Sequence, residues 1–336
     1  MAKRVYPKVS FIIPTLNAGD ILPRCLNAIR SQEYPTQLVE IIIADGGSTD
    51  STLEIAKTFG ARIIVNPEIL HEPGKDRASK VAKGEIFFFT DADNILENNS
   101  WLINMVYVYI KEPEAVVFLP QTVPAPDSIS LDRYLGYLST DPFTWFIYKN
   151  AASPRDYKKM YAPIKSTFSY ELYRFTPNNH PLIGLTQGFG TRRSFNRGAI
   201  GHADDILAMI KLIEEKGIIA YVTTAGIYHY HVTSVNNFIN KYRWRVRNNL
   251  RQDISGMGLV NRLQYFNTER KIRIFLFLPY ALTLIGPFLD TLRLIIKYKD
   301  AVLLWHPLAT FLIATIILWE HCAHLVHKNQ KLGTYE

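Results

Sequence analysis

Cysteine is scarce. The 336-residue chain has two, Cys25 and Cys322, too few for a disulfide framework and at a separation that matches no zinc spacing. No internal repeat or low-complexity stretch is present. With 48% hydrophobic and 20% charged residues, the chain is not a disordered one. Met1 to Lys8 lack the apolar stretch of a signal peptide, so the bulk of the chain is expected in the cytoplasm. Neither a zinc finger nor an RNA-binding aromatic motif is visible, and nucleic acid is not expected as a partner. What is present is a surplus of base, 38 Lys and Arg against 30 Asp and Glu, or +8. That surplus suits an anionic partner such as nucleotide phosphate or a membrane surface. The length fits about two domains.

Residues 1–120 alternate short apolar runs with helical patterns. Val9 to Ile13 reads as a buried strand stopped by Pro14, and Val39 to Ala44 as a second. Between them, Asp20 can cap a helix with Ile21, Leu22, Cys25, Leu26 and Ile29 on one face. Asp50 opens another helix, closed by Gly60. Arg62 to Val65 and the very apolar Glu85 to Thr90 are further strands. Strands this apolar, alternating with helices, predict an α/β fold with a mostly parallel sheet covered on both faces. From about 121 to 180 the many prolines predict an irregular, partly helical stretch. Order returns with a helix from Asp204-Asp205 bearing Ile206, Met209, Ile210 and Ile213, then a strand from Ile218 to Thr223.

The last part of the chain has the pattern of membrane-associated helices. Ala301 to Trp319 carries no formal charge over nineteen residues, close to the ~20 that span a bilayer. Trp305 and Trp319 near its ends suit the headgroup level. Phe288, Leu289, Leu292, Ile295 and Ile296 form one helical face opposite Asp290, Arg293 and Lys297, which fits a helix lying in the interface. A buried helical hairpin in a soluble domain is the alternative. Basic residues flank both segments, so charge leaves the orientation open.

Several segments are equipped for chemistry. Thr90-Asp91-Ala92-Asp93-Asn94 follows the most apolar strand, and in open α/β sheets ligands bind beyond the carboxyl ends of strands. Carboxylates two residues apart can serve a divalent cation and a ribose or phosphate, since Mg2+ and Mn2+ take one or two carboxylates with phosphate oxygens. A capped turn would leave the same pattern. Ala44-Asp45-Gly46-Gly47-Ser48 ends another strand; its glycines admit a nucleotide to the backbone, and Asp45 can accept from a base or ribose. Gly74-Lys75-Asp76-Arg77 offers cations for a diphosphate, or is a solvated loop.

Together these segments resemble the family-2 glycosyltransferases. VSFIIPTLN from Val9, ADGGSTDST from Ala44, AKGEIFFFTDADN from Ala82 and HADDILAMIKLIEEKG from His202 follow that family's order. The resemblance covers about residues 8–250. It implies the GT-A fold and transfer of sugar, with inversion, from a nucleotide-diphospho-sugar donor in the presence of Mg2+ or Mn2+. It places Pro14, Asn17, Asp45, Gly46, Lys75, Arg77, Asp91 and Asp93 at the donor, with Asp93 nearest the metal. Asp205 matches the catalytic aspartate, with Asp204 as the other candidate; an inverting transfer needs such a base for the acceptor hydroxyl. The sequence has Ala44-Asp45 where the family usually has two acids.

Asn240-Lys241-Tyr242-Arg243-Trp244 resembles the Q-x-x-R-W motif of polymer-forming members, with Asn240 in place of Gln. It implies Arg243 at the diphosphate and Trp244, with Gly188, at the acceptor sugar. His229 and His231 alternate onto one face after a strand, where family members often have a histidine near the metal. Arg245, Arg247 and Arg251 continue a basic run that a solvated or lipid-facing helix would also explain. The expected division is a nucleotide-sugar half over 1–120, an acceptor half over 121–265 and membrane-associated helices over 270–325. The expected acceptor is a lipid-linked saccharide or polyprenyl phosphate, with catalysis on the cytoplasmic face. A processive polysaccharide synthase and a non-catalytic membrane-bound protein for anionic ligands are the alternatives.

Overall fold

The computed structural model describes residues 6–182, 188–195, 207–251 and 259–326. The chain forms two compact units, Met1–Val123 with Pro154–His229, and Pro124–Ser153 with Tyr230–Glu336. The strands are β1 Val9–Thr15, β2 Val39–Asp45, β3 Arg62–Val65, β4 Ile86–Phe89, β5 Asn94–Leu96, β6 Ala115–Val123, β7 Lys165–Ser166, β8 Tyr170–Tyr173, β9 Phe189–Arg192 and β10 Ile218–His229. The helices are α1 Leu22–Arg30, α2 Thr52–Thr58, α3 His71–Val81, α4 Trp101–Lys111, α5 Ser130–Leu138, α6 Pro142–Tyr148, α7 Leu207–Glu214, α8 Val235–Arg251, α9 Leu259–Arg262, α10 Thr268–Thr283, α11 Ile285–Tyr298 and α12 Trp305–Val326.

All of these strands belong to one sheet in the first unit, ordered β3-β2-β1-β4-β9-β6-β10-β8-β7, with β5 paired to β10. β1 pairs parallel with β2 and β4, and β2 parallel with β3. β9 runs antiparallel between β4 and β6, β6 and β10 are parallel, and β8 with β7 closes the edge antiparallel. Every residue of β1 is buried, as a strand with neighbours on both sides requires. Pro14 is tolerated in so central a strand because the β1–β4 ladder ends at Ile12 and Phe89, two residues earlier. Beyond that point β1 and β4 part. The strand order reverses direction here, with β2 on one side of β1 and β4 on the other, and such a crevice is where α/β sheets bind ligands.

Local sequence explains the helices around it. α1 buries Leu22, Cys25, Leu26 and Ile29, the face expected from spacing; its N-cap is Ile21 and makes no side-chain cap bond, so Asp20 is not the cap. Asp50 does open α2, accepting from the Thr52 amide at 3.0 Å, and Gly60 follows it with φ +65°. α7 buries Met209, Ile210 and Ile213; Ile206 lies outside the described residues. The stretch expected to be irregular holds α5, α6, β7 and β8. Asp141 caps α6 by accepting from the Thr144 amide at 2.8 Å, with Pro142 in the first turn.

The second unit is helical. Its core includes Tyr134 and Leu135 of α5, Phe146 of α6, Phe238 of α8, Phe277 of α10 and Ile313 of α12. Ala301–Val326 contains an 18-residue window with a mean hydropathy of 2.1 and is long and apolar enough to cross a membrane. α10 and α11 meet at a 90° bend. On α11 the apolar face points outward: Phe288, Leu289, Leu292 and Ile296 are exposed, while Asp290 is buried. The Asp290 carboxylate accepts from Lys149 Nζ at 3.0 Å, Tyr280 Oη at 2.9 Å and Arg293 Nη1 at 2.9 Å. Tyr280 also meets His306 Nε2 at 3.0 Å, and His306 Nδ1 meets Tyr134 Oη at 2.7 Å. The unit thus has an apolar core with a buried polar network inside it, and it also exposes large apolar side chains.

Phe88 of β4 is the packing centre beneath the crevice, stacked 5.1 Å from Phe11 and edge-on 5.2 Å from Trp101. Phe88→Ala should lose about 3–5 kcal/mol of unfolding free energy, read as a lower urea midpoint with unchanged slope.

Candidate active site

The crevice is built from the ends of β1, β2 and β4. At the end of β2, Asp45 is 5% exposed and folds the chain back on itself. Its Oδ2 accepts from the amides of Gly47 at 2.9 Å and Ser48 at 2.8 Å, and its Oδ1 from Ser48 Oγ at 2.6 Å and Thr15 Oγ1 at 3.0 Å. Gly47 has φ +98°, which a side chain would strain. Gly46 donates its amide to the Thr15 carbonyl at 2.8 Å, one step beyond the ladder. Asn17, at φ 47°, is latched to the same turn: its amide donates to Ser48 Oγ at 2.9 Å and its Oδ1 accepts from the Thr49 amide at 2.9 Å. Pro14, Asn17, Asp45 and Gly46 therefore share one edge. Four protein donors already occupy Asp45, so its first role is to shape the turn.

After β4, Thr90 still donates its amide to the Ile12 carbonyl at 3.1 Å, and the chain then turns with the Asn94 amide on the Asp91 carbonyl at 3.0 Å. The two aspartates of this turn face different surroundings. Asp91 is buried, with Lys75 Nζ 3.1 Å and His71 Nδ1 3.6 Å from its Oδ1. Burial alone would raise its pKa, but the Lys75 charge and the His71 contact outweigh it and hold the carboxyl well below the usual carboxylate range. Lys75 has no exposed surface and also lies 3.3 Å from Glu72. Cys25 packs below, its Sγ 3.9 Å from the Asp91 carbonyl, and burial pushes its pKa up so that it stays a thiol.

The segment 74–77 is thus not a loop offering cations to a diphosphate. It lies inside α3, where Lys75 points into the protein at Asp91, and Arg77 forks onto Glu68 at 2.8 and 2.6 Å. Sequence pattern missed this because four charged or small residues in a row resemble a solvated stretch. The available signal was Gly74, where a Cβ would come within 2.9 Å of Asn66 Nδ2: a close approach of helix to strand end.

Asp93 is one-third exposed. Its Oδ1 accepts from Asn94 Nδ2 at 2.9 Å, and its Oδ2 lies 3.5 Å from His229 Nε2. The short antiparallel pairing of β5 with β10 sets His229 opposite Asn94 and so delivers it to Asp93. His231 lies two residues past the end of β10, and its carbonyl accepts from Lys241 Nζ at 2.6 Å. Gly188 adjoins the turn at φ +63°; a Cβ would stand 3.7 Å from Thr90 Oγ1 and collide with Ile227 at 2.1 Å. Asp204 and Asp205 lie outside the described residues, just before α7.

Arg243 and Trp244 are on α8 in the second unit. Arg243 Nε donates to Glu320 Oε1 at 2.6 Å, and Arg247 donates to the same carboxylate through Nε at 2.7 Å and Nη2 at 3.1 Å. Trp244 is half-buried. Arg243 and Arg247 of the basic run are thus paired with a buried carboxylate, while Arg245 is exposed and lies 3.8 Å from Asp141. Glu320 was missed from sequence, although a lone acid in the otherwise uncharged α12 is a visible signal.

Among the described residues no three His, Cys, Asp or Glu side chains cluster as a complete metal site. Asp93 with His229 supplies one carboxylate and one imidazole. That set fits a cation that draws its remaining ligands from phosphate and water.

A parallel nucleotide-binding sheet with an acidic turn after β4, extended by antiparallel strands, defines a GT-A sugar-nucleotide transferase. The chain belongs to glycosyl transferase family 2, whose model matches residues 10–199, more than half of it, and it is a glycosyltransferase. It is 32% identical over 119 residues to the poly(ribitol-phosphate) beta-glucosyltransferase of Bacillus spizizenii, covering 33% of this chain and 18% of that protein. It is 37% identical over 94 residues to the glycosyltransferase AglE of Haloferax volcanii, covering 26% and 31%. The matches thus span less than half the length of these relatives. In fold it is similar to a mannosyltransferase from Pyrobaculum calidifontis in complex with GDP-Man and Mn2+, at TM-score 0.50 and 16% identity, over 94% of this chain and 88% of that one.

Lys75→Met should leave Asp91 buried and unpaired, costing about 3–5 kcal/mol at pH 7. In the native protein the lowered Asp91 pKa gives stability that is full above the unfolded value of about 4 and fades as pH falls below it. In Lys75→Met, burial raises that pKa instead, so acidification from pH 7 to 5 should recover part of the loss. Urea midpoints of both proteins at the two pH values check this.

Proposed function

We propose that this glycosyltransferase moves a sugar, with inversion, from a nucleotide-diphospho-sugar to an acceptor carried on a membrane lipid. The observation that carries the donor side is the Asp93–His229 pair, presented outward at the sheet's crevice while Asp91 is held inside by Lys75. Asp93 and His229 would hold Mg2+ or Mn2+, which supplies positive charge to the departing diphosphate. The Mn2+ and GDP-Man in the structurally similar mannosyltransferase support that choice. Asp91 keeps the turn in place from beneath. Asn17, Pro14 and the Asp45–Gly46 turn border the nucleoside, and the exposed backbone of Gly46 and Gly47 lets it approach closely. Gly188, beside the acidic turn, serves the acceptor. Asp205, or its neighbour Asp204, takes the acceptor hydroxyl's proton.

On the acceptor side, the carrying observation is the run of exposed apolar side chains on α10, α11 and α12, whose charged groups Asp290 and Glu320 are buried and paired. A protein whose charges pair inside and whose Phe275, Phe288 and Ile296 face outward, at 82%, 55% and 77% exposure, is built for contact with lipid. We infer attachment on the cytoplasmic face and an acceptor that is a polyprenyl-linked saccharide or phosphate.

Asp93→Ala is expected to abolish turnover and to remove the Mn2+ dependence of donor affinity in calorimetry, and excess chelator should do the same to the native protein. Full activity of either would refute the metal role. Asp205→Asn should keep donor affinity within a few-fold while kcat falls by ~10²–10⁴. If only Asp204→Asn has that effect, Asp204 is the base.

A further inference from the structure

Resting on the membrane reading above, we propose that the helical unit is monotopic: α10, α11 and α12 lie in one leaflet of an anionic bilayer, and α12 does not cross it. Length and hydropathy allow α12 to span. Its partners do not. Near its start, Trp305 Nε1 donates to Ser130 Oγ at 2.9 Å, and the His306 ring meets Tyr134 Oη at 2.7 Å, both on α5. Fourteen residues later, about 21 Å along the helix, Glu320 is bound by Arg243 and Arg247 of α8. α12 is thus tied at both ends to helices of the same unit, and α8 packs against it.

α8 cannot follow α12 into hydrocarbon. Asn236, Asn240 and Arg245 are exposed on it, and Lys241 and Asn249 add to its polar surface. Groups of this kind are among the most unfavourable to place at mid-bilayer. If α12 stood across the membrane, one of its two tied ends would carry polar helices to the far side or strand them within it. Lying flat, α12 offers lipid one stripe, Leu304, Leu308, Phe311, Leu318 and Trp319, all exposed, while Ala309, Ile313 and Glu320 face the unit. Only that side of α12 is open to lipid, because the opposite side packs on the unit.

The bent pair agrees. α10 has 16 residues and α11 has 14, about 24 and 21 Å, each short of the ~30 Å hydrocarbon thickness. Their 90° junction is apolar and exposed at Leu282, Leu284 and Ile285, whereas the outer ends carry Glu269, Lys271, Lys297 and Lys299. An apolar vertex with charged arms enters a leaflet and returns on the same side. Exposed Lys271, Arg293, Lys297 and Lys299 match anionic head groups.

Single cysteines at the two ends of α12 test this, Ala301→Cys and His321→Cys, each in a Cys322→Ser background; Cys25 is buried and serves as the unreactive control. Sealed membrane vesicles of both orientations are treated with a membrane-impermeant maleimide, before and after detergent. The inference expects the two positions to label together in one orientation, to the extent seen after detergent, and to be shielded together in the other. Labelling that reverses between the two positions when vesicle orientation is inverted means a span and overturns it, leaving the membrane reading intact. Flotation of the purified native protein with vesicles of phosphatidylglycerol and phosphatidylethanolamine tests that reading separately. Failure to float overturns both.

Discussion

The ammonium of Lys75 has no contact with solvent and lies 3.1 Å from the Asp91 carboxylate. A charge so placed is tolerable only with its partner, and the pairing decides how the acidic turn after β4 is presented. Asp91 is drawn under the sheet edge toward α3, so Asp93, two residues on, faces the crevice. Strand pairing completes the arrangement: β5 lies against the end of β10 and brings His229 to Asp93. One carboxylate is buried and paired, and the other is open to the crevice, where the proposed function makes it the metal ligand. That division turns a short sequence pattern into a site able to receive a cation with its phosphate.

The same principle organises the second unit, where charge is also buried only in company. Asp290 is surrounded by Lys149, Tyr280 and Arg293, and Glu320 by Arg243 and Arg247. These networks sit within the apolar core of helices whose other sides expose apolar side chains. Polar clusters fix orientation more sharply than apolar packing, because an unpartnered member is strongly unfavourable. The outward apolar side chains form the kind of exposed patch that marks an interaction surface.

Much of the first unit was legible in the sequence. Strand runs at Val9, Val39 and Arg62, the buried face of α1 and the Asp50 turn that leads into α2 are local signals, set by periodicity and turn chemistry within a few residues. The acidic turn after β4 and the glycine turn after β2 were also found, because both sit at strand ends where chain order alone puts them at the ligand edge. The partners of long-range pairs were not legible. Nothing near Lys75 in sequence says that it points inward at Asp91, sixteen residues away, and nothing near Arg243 names Glu320. His229 and His231 looked equivalent by alternation, but β10 ends at the first of them. In the proline-rich stretch, Asp141-Pro142 was a readable helix start, overlooked amid the many breakers around it.

The most direct measurement is product identity. Purified protein is incubated with a panel of nucleotide sugars and Mn2+ in the presence of a membrane lipid extract, and the products are partitioned into organic solvent and analysed by mass spectrometry. The account predicts a new organic-extractable lipid heavier by one sugar residue, formed from one donor of the panel. Transfer only to soluble glycan or protein, undiminished when residues 270–336 are removed, would contradict it.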